Sequence, residues 1–138
     1  MGCVFCETTG GEELHRTDLF RVILPEEPDY PGFVRLVLND HRTEMTELSD
    51  TERQAVMEAI WKVEACVRDI MVPDKVNIAS LGNMTPHIHW HVVPRYRDDP
   101  HFPGSVWSER LREVEPESQL GRRQRTSALR AAIAERLG

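Results

Sequence analysis

Residues 87–94 of the chain read His-Ile-His-Trp-His-Val-Val-Pro, so histidine alternates with apolar residues. Successive side chains of a β-strand point to opposite faces of its sheet. The alternation therefore predicts a strand over residues 87–93, with its histidines at ~6.5–7 Å intervals along one face. The histidine face holds His87, His89 and His91, and the face predicted to meet the core holds Ile88, Trp90 and Val92.

Three imidazoles in a row offer more than one kind of chemistry. Imidazole titrates near neutral pH and can act as nucleophile, acid, base or metal ligand. One interpretation is a set of surface histidines on a half-exposed strand. A second is a metal centre in which same-face histidines bind zinc or iron with an open position, as in a hydrolase, hydratase or dioxygenase. A third is covalent catalysis, and the strict alternation favours the two chemical interpretations over the first.

Four further segments before the histidines have the composition of strands, rich in β-branched and other apolar residues. A loop with three prolines over residues 25–32 separates the second segment from the third, because proline there forbids regular structure. The predicted strands span residues 12–17, 19–24, 33–38 and 76–81.

Two helices complete the predicted elements. Ser49 and Glu52 have the spacing of a capping box, and the apolar residues behind them recur every three or four positions, which predicts an amphipathic helix over 50–71. Cys66 lies on or beside its apolar stripe and is predicted to be a core residue. A C-terminal helix is predicted over 126–137. These elements indicate an α+β fold with about five strands in a mainly antiparallel sheet, one long helix and a C-terminal helix.

The length and charge of the chain limit the number of domains and the kinds of partner it can have. Its 138 residues are the size of one ordinary domain. The net charge of −6 argues against a nucleic-acid partner, whose phosphates would need many Lys and Arg contacts. Seven arginines and five glutamates give residues 108–138 a charge of +2 and leave −8 on residues 1–107. We therefore predict a domain over 1–107 followed by a C-terminal helical extension over 108–138, which packs on that domain or on a second subunit.

Targeting signals are not visible in the sequence. No apolar run approaches the ~18 residues needed to cross a bilayer, and the N-terminus lacks a basic region followed by an apolar stretch. We therefore expect a cytoplasmic protein with no membrane partner. The three cysteines are then expected to be reduced thiols or metal ligands.

Two other stretches accompany the alternating histidines. Residues 31–41 run from a Pro-Gly turn through a strand to a histidine, and Gly82-Asn83-Met84 precedes the histidine strand. Together the three stretches resemble the histidine triad family of nucleotide hydrolases and transferases, whose members often have Gly-Gln-Ser or Gly-Gln-Thr at the last position. The resemblance covers about residues 3 to 97 and implies a histidine-triad-like fold.

The resemblance also implies a nucleoside phosphate substrate and a two-step displacement through a covalent nucleotidyl-histidine. By position His89 is the nucleophile, and a neutral imidazole with an unperturbed pKa of ~6.5 is nucleophilic at pH 7. His91 is then expected to donate a proton or to neutralise charge on the phosphate and leaving group. The residues expected to contact the phosphate or leaving group are Asn77, Asn83 and Arg95.

The spacing of Cys3 and Cys6 is that of a metal knuckle, although two thiolates need two more ligands to close a tetrahedral zinc site. Many bacterial histidine triad proteins, and the related galactose-1-phosphate uridylyltransferases, add a histidine before the helix and the first triad histidine. The resemblance thus implies a structural zinc bound by Cys3, Cys6, His41 and His87. That zinc would keep His87 out of the chemistry.

The remaining expectations concern the substrate and the assembly. The resemblance implies hydrolysis of a nucleoside α-phosphate bond in a diadenosine polyphosphate or an adenosine phosphoramidate, and a homodimer. Alternatives are a metal-dependent enzyme that uses the triad as ligands and a non-catalytic nucleotide-binding or interaction module. Trp107 is predicted to pack on the core, with closure over a substrate base as the alternative. Pro25 stands where some members have a ribose-contacting asparagine, so ribose contacts cannot be carried over.

Overall fold

The computed structural model describes residues 2–138 and contains one five-stranded antiparallel sheet. Its strand order is β1-β2-β3-β5-β4, so the histidine strand β5 lies between two partners. The predicted α+β class is confirmed. The strands are β1 (Glu12–Arg16), β2 (Phe20–Leu24), β3 (Val34–Leu38), β4 (Lys75–Ala79) and β5 (His89–Arg95), and the helices are α1 (Val4–Glu7), α2 (Asp50–Met71), α3 (Pro116–Gln124) and α4 (Thr126–Leu137).

The two faces of the sheet differ in what covers them. Alternate residues of the central strands point to α2 and form the main core with its apolar stripe. Ile88 and Val92 are buried in this core and Trp90 packs against it, as the alternation predicted. The opposite face carries the histidines of β5. The core residues include Val22, Val34 and Leu36 of the sheet and Ile60, Val63 and Val67 of α2.

The bounds of α2 follow from its end signals. The Ser49 side chain accepts a hydrogen bond from the Glu52 amide, and the Glu52 carboxylate accepts one from the Ser49 amide, so the predicted capping box is present. At the other end Val72 is left-handed at φ 48° and Pro73 follows, which ends the helix. Cys66 is buried in its apolar stripe, as predicted.

The start of the histidine strand was predicted two residues too early. The sequence predicted residues 87–93, whereas β5 begins at His89. The amide of His87 donates to the Thr85 carbonyl and that of Ile88 to the Arg42 carbonyl, so the backbone here bonds to a turn and a loop instead of to β4. The consequence is that His87 lies just outside the sheet, free to face the N-terminal segment.

The C-terminal residues pack on the same chain. Leu129 and Ile133 of α4 are fully buried and belong to the core that α2 forms with the sheet. The predicted helix over 126–137 is confirmed, whereas α3 was not predicted. A boundary near residue 107 stays a prediction, as does contact of the extension with a second subunit. Within residues 2–138 no helix is both long enough and apolar enough to cross a membrane.

Candidate active site

A cavity of about 430 Å³ opens on the histidine face of the sheet. Its floor is the start of β5, and its walls are the N-terminal turn, β3 and the loop between β4 and β5. Its lining is mainly apolar with a few polar groups, the usual character of a small-molecule site. The lining residues are Val4, Phe5, Gly10, Arg35, Leu81, Gly82, Asn83, Met84, Thr85, His89, His91 and Trp107.

The ring of His89 is held by one backbone bond. Its Nδ1 lies 2.6 Å from the carbonyl oxygen of His87. A carbonyl oxygen only accepts, so Nδ1 carries the proton and Nε2 keeps its lone pair. Burial lowers the pKa of His89, partly opposed by this same bond. At neutral pH the ring is therefore an uncharged nucleophile with Nε2 available.

His91 has the opposite tautomer, because a side chain fixes it. Arg35 of β3 pairs directly with His91 of β5, and its Nε–H donates to Nδ1 of His91 across 3.3 Å. The proton of a neutral His91 must then lie on Nε2. Burial, and to a smaller extent the charges of Arg35 and His89, lowers the pKa of His91 to about 3. His91 thus enters the site as an uncharged hydrogen-bond donor, its ring centroid 5.0 Å from that of His89.

Four side chains converge beside the cavity in a cluster that could hold a metal ion. Cys3, Cys6, His41 and His87 each offer one donor atom, and the four atoms lie within 4.8 Å of one another. Nδ1 of His87 is 3.3 Å from Sγ of Cys3, and Nδ1 of His41 is 3.4 Å from Sγ of Cys6. Tetrahedral zinc with bonds of ~2.0 Å to nitrogen and ~2.3 Å to sulfur would separate its ligand atoms by roughly 3.3–3.8 Å. The donor set therefore fits a closed four-ligand site.

The ring of His87 is oriented for this cluster by its second nitrogen. Nε2 donates to the carbonyl oxygen of Leu38 across 2.7 Å, which leaves Nδ1 unprotonated on the cluster side. Phe5, between the two cysteines in sequence, packs against the rings of both His87 and His89. The cluster and the cavity thus share one wall, and the carbonyl that orients His89 belongs to a cluster residue.

These features agree with comparisons with known proteins. The model of the HIT domain, the histidine triad domain, matches residues 12–98. The chain belongs to the HIT domain family. The family assignment made from the alternating histidines and their flanks is thereby confirmed.

Relatives of this HIT protein with named activities include two from Schizosaccharomyces pombe. It is 23% identical to the adenosine 5′-monophosphoramidase of Schizosaccharomyces pombe, over 72% of this chain and 78% of the relative. It is 24% identical to the asymmetrical bis(5′-nucleosyl)-tetraphosphatase of the same yeast, over 72% of this chain and 58% of the relative.

Solved HIT structures superimpose over most of the chain. A histidine triad protein from Bradyrhizobium japonicum is 26% identical with a TM-score of 0.73, covering 91% of this chain and 92% of that one. A zinc-bound histidine triad family protein from Mycobacterium smegmatis is 27% identical with a TM-score of 0.63, covering 98% and 95%.

The residues expected to contact phosphate do not all meet in the cavity of this HIT protein. Asn83 lines it, but Asn77 and Arg95 do not. Arg95 is buried in an ion pair with Asp99, and its Nη1 donates to Oδ1 of Asn77 across 2.7 Å. Their role in phosphate binding stays a prediction, whereas the contacts they make here hold β4, β5 and the following loop together.

The position of Trp107 differs from the predicted one. The side chain is 53% exposed, so the prediction that it packs on the core is wrong. Its ring lies at the cavity mouth, 5.0 Å from the ring of His91 and inclined to it by 66°. This position is consistent with the alternative, in which Trp107 contacts the base of a substrate.

Arg35 was missed by the sequence analysis. It is the one charged residue in the apolar strand Val34–Leu38, which was a visible signal of a special role. Its position opposite His91 depends on the pairing of β3 with β5, which the local sequence does not specify.

Proposed function

We propose that this HIT protein is a nucleotide hydrolase or transferase that cleaves a nucleoside α-phosphate bond through a covalent nucleotidyl-His89 intermediate. The observation that carries the proposal is the bond from Nδ1 of His89 to the His87 carbonyl. It leaves the nucleophilic lone pair on Nε2 of a cavity-lining ring, next to a His91 whose Nε2 carries a proton. A nucleophile and a donor of this kind are what a displacement at phosphorus requires.

In the first step Nε2 of His89 forms a bond to the α-phosphorus, and the bond from phosphorus to the leaving group breaks. The leaving group departs with the electron pair, and His91 donates a hydrogen bond to the atom on which the charge appears. The His87 carbonyl stabilises the positive charge that develops on the His89 ring. In the second step water attacks the phosphorus, the electron pair of the N–P bond returns to Nε2, and the proton of the water goes to solvent or to the expelled group.

The substrates proposed are a diadenosine polyphosphate or an adenosine phosphoramidate. They correspond to the named activities of the two yeast relatives. The mainly apolar cavity of about 430 Å³ supports a nucleoside, with Asn83 as an additional donor to phosphate. A homodimer, a cytoplasmic location and the absence of nucleic-acid and membrane partners remain predictions.

The metal proposed for the four-ligand cluster is zinc in a structural role. A closed Cys₂His₂ set has no open position for substrate, and bound zinc would fix the N-terminal turn against the triad. It would also fix His87, whose carbonyl orients His89. Because His89 and His91 lie outside this set, the cluster favours covalent catalysis over a metal centre built from the triad. Metal analysis should find one zinc per chain, and none in Cys3→Ser.

The covalent intermediate is tested by mass spectrometry of protein quenched during turnover. We expect an AMP adduct on a peptide that contains His89, and no adduct in His89→Ala. His15→Ala is the matched control, since His15 lies on β1 outside the cavity lining, and it should retain the adduct. An adduct that persists unchanged in His89→Ala, or turnover that persists in that variant, would overturn the proposal.

A further inference from the structure

We propose that Arg35 binds the leaving group of the substrate and makes this site selective for leaving groups that carry phosphate over uncharged amines. The inference rests on the proposed function, because it concerns the group that the reaction at His89 expels. It assigns a specificity role to a residue of β3 that the triad itself does not include.

The first support is position. Arg35 faces His91 across the β3–β5 pairing and donates to its Nδ1, so its guanidinium lies beside the ring that meets the leaving group. Among the cavity-lining residues of the described chain it alone has a permanent charge. The adjacent ring of His91 accepts the hydrogen bond from Arg35 on Nδ1 and is uncharged, because burial lowers its pKa. Among these lining residues, Arg35 is therefore the source of fixed positive charge for a phosphate chain.

The second support is the set of donors that Arg35 leaves free. The Nε–H of Arg35 donates to Nδ1 of His91. Its Nη2 lies 3.5 Å from Oε1 of Glu27, which is an ionic contact without a hydrogen bond. Within residues 2–138 neither Nη atom makes a hydrogen bond to the protein. Phe33 lies beneath the guanidinium, 5.2 Å from Cζ to the ring centroid, and holds its plane. The free N–H groups of a planar guanidinium match the oxygens of phosphate.

In other buried arginines of the chain, groups of the protein accept hydrogen bonds from most of the guanidinium. Arg95 donates to both oxygens of Asp99, to Asn77 and to the Gly104 carbonyl. Arg21 donates to four backbone carbonyls and one side chain. Arg35 is half-buried without such partners, and burial lowers its pKa against the weak opposing effect of Glu27. An anionic ligand would offset the cost of that burial.

The chemistry of leaving-group expulsion also favours substrates whose leaving group carries phosphate. An amine is a poor leaving group unless it is protonated, and His91 is uncharged at neutral pH, so it offers a hydrogen bond but little acid strength. A phosphate leaves with its electron pair on oxygen and needs stabilisation of negative charge, which a guanidinium supplies. The arrangement is therefore better suited to expelling a nucleoside polyphosphate than an amine.

The test compares kcat/KM of wild type and Arg35→Met on diadenosine tetraphosphate and on adenosine 5′-phosphoramidate. We expect a loss of about 10–100-fold on the tetraphosphate, the range for removing a hydrogen bond from a charged donor. On the phosphoramidate the loss should stay below about 5-fold, since that leaving group does not use the charge. Arg35→Lys keeps the positive charge but lacks the planar guanidinium with its several N–H donors. Its kcat/KM on the tetraphosphate should therefore lie between those of wild type and Arg35→Met.

A second variant changes the site in the opposite direction. Glu27→Gln removes the carboxylate that competes for Nη2, and kcat/KM for the tetraphosphate should rise by up to about 5-fold, the range for breaking one partly exposed ion pair. Misfolding cannot produce such a gain. Titration calorimetry with inorganic tripolyphosphate provides a readout without turnover, and its affinity should fall about 10-fold or more in Arg35→Met.

The outcomes separate the two proposals. Equal losses on both substrates, or unchanged tripolyphosphate binding in Arg35→Met, would overturn the role of Arg35 while leaving the nucleophile His89 intact. Turnover of neither substrate by wild type would overturn the proposed function, and the tripolyphosphate titrations of wild type, Arg35→Met and Glu27→Gln would still decide whether Arg35 binds phosphate.

Discussion

The three triad histidines have equal sequence spacing but different chemistry, because each ring has a different hydrogen-bond partner. Nε2 of His87 donates to a backbone carbonyl, and its Nδ1 faces the cysteines. Nδ1 of His89 donates to a backbone carbonyl, so its Nε2 is free. Nδ1 of His91 instead accepts from Arg35. One orienting bond per ring thus divides the triad into a ligand, a nucleophile and a donor.

The assignment of these tautomers is a prediction at the scale of single residues. Long-range ¹H–¹⁵N correlation spectra should place the ring proton of His89 on Nδ1 and that of His91 on Nε2. In Arg35→Met the His91 signals should move toward a mixture of tautomers, because its Nδ1 has lost the donor. The His15 signals serve as the control and should not change. A proton on Nδ1 of His91 in the wild type would contradict the assignment.

At the scale of elements, the sequence predicted best where local patterns were strong. The 50–71 bounds of α2 were predicted from its capping box and apolar period, and all five strands were placed to within two residues at each end. The short helix α3 was missed because it buries no residue and so has no apolar stripe. The start of β5 was misplaced because alternation continues through His87 although the backbone bonds there go elsewhere.

Only those residues of the candidate site that lie within a single strand could be predicted from the sequence. His89 and His91 follow from alternation within one strand, and both line the cavity. The alignment of Arg35 with His91 depends on β3 pairing with β5, which joins segments more than fifty residues apart. The position of Trp107 depends on how the chain turns after β5. Such long-range placements are set by tertiary packing, so a local pattern does not reveal them.

The docking of α4 gives a prediction at the same scale. Ile133→Ala should lower the free energy of unfolding by about 3 kcal/mol, since it leaves a cavity where the side chain is fully buried against α2. Leu120→Ala, at an exposed position of α3, should change it by less than about 0.5 kcal/mol. Urea denaturation followed by circular dichroism measures both. An Ile133→Ala protein as stable as wild type would mean that α4 does not share the core.

At the scale of the whole molecule, ion pairs as well as apolar contacts join the C-terminal residues to the rest of the chain. The basic segment 108–138 lies on an acidic body, with ion pairs that join its arginines to carboxylates far away in sequence. Most of these pairs are exposed and contribute little individually, so the buried side chains of α4 provide the main attachment. The pairs are Arg110–Asp29, Arg122–Asp98, Arg130–Glu12 and Arg136–Asp69.

The buried histidines of the site make the stability of the whole protein depend on pH. Burial holds the pKa of His91 at about 3 and that of His89 below its ordinary value, whereas the unfolded chain has histidines near ~6.5. Between these values the unfolded state binds more protons than the folded state, so acidification favours unfolding. The contribution of these groups is fully present above about pH 6.5 and declines as the pH falls toward 3.

We therefore expect the Tm to be nearly constant from pH 8 to 7 and to fall between pH 6.5 and 5, above the range in which most carboxylates titrate. His91→Gln removes one of the groups that must take up a proton on unfolding, so its Tm should fall less steeply over the same interval, whatever its value at pH 8. Differential scanning calorimetry of both proteins in matched buffers measures the two slopes. Parallel slopes would mean that His91 is not held uncharged by its burial in the folded protein.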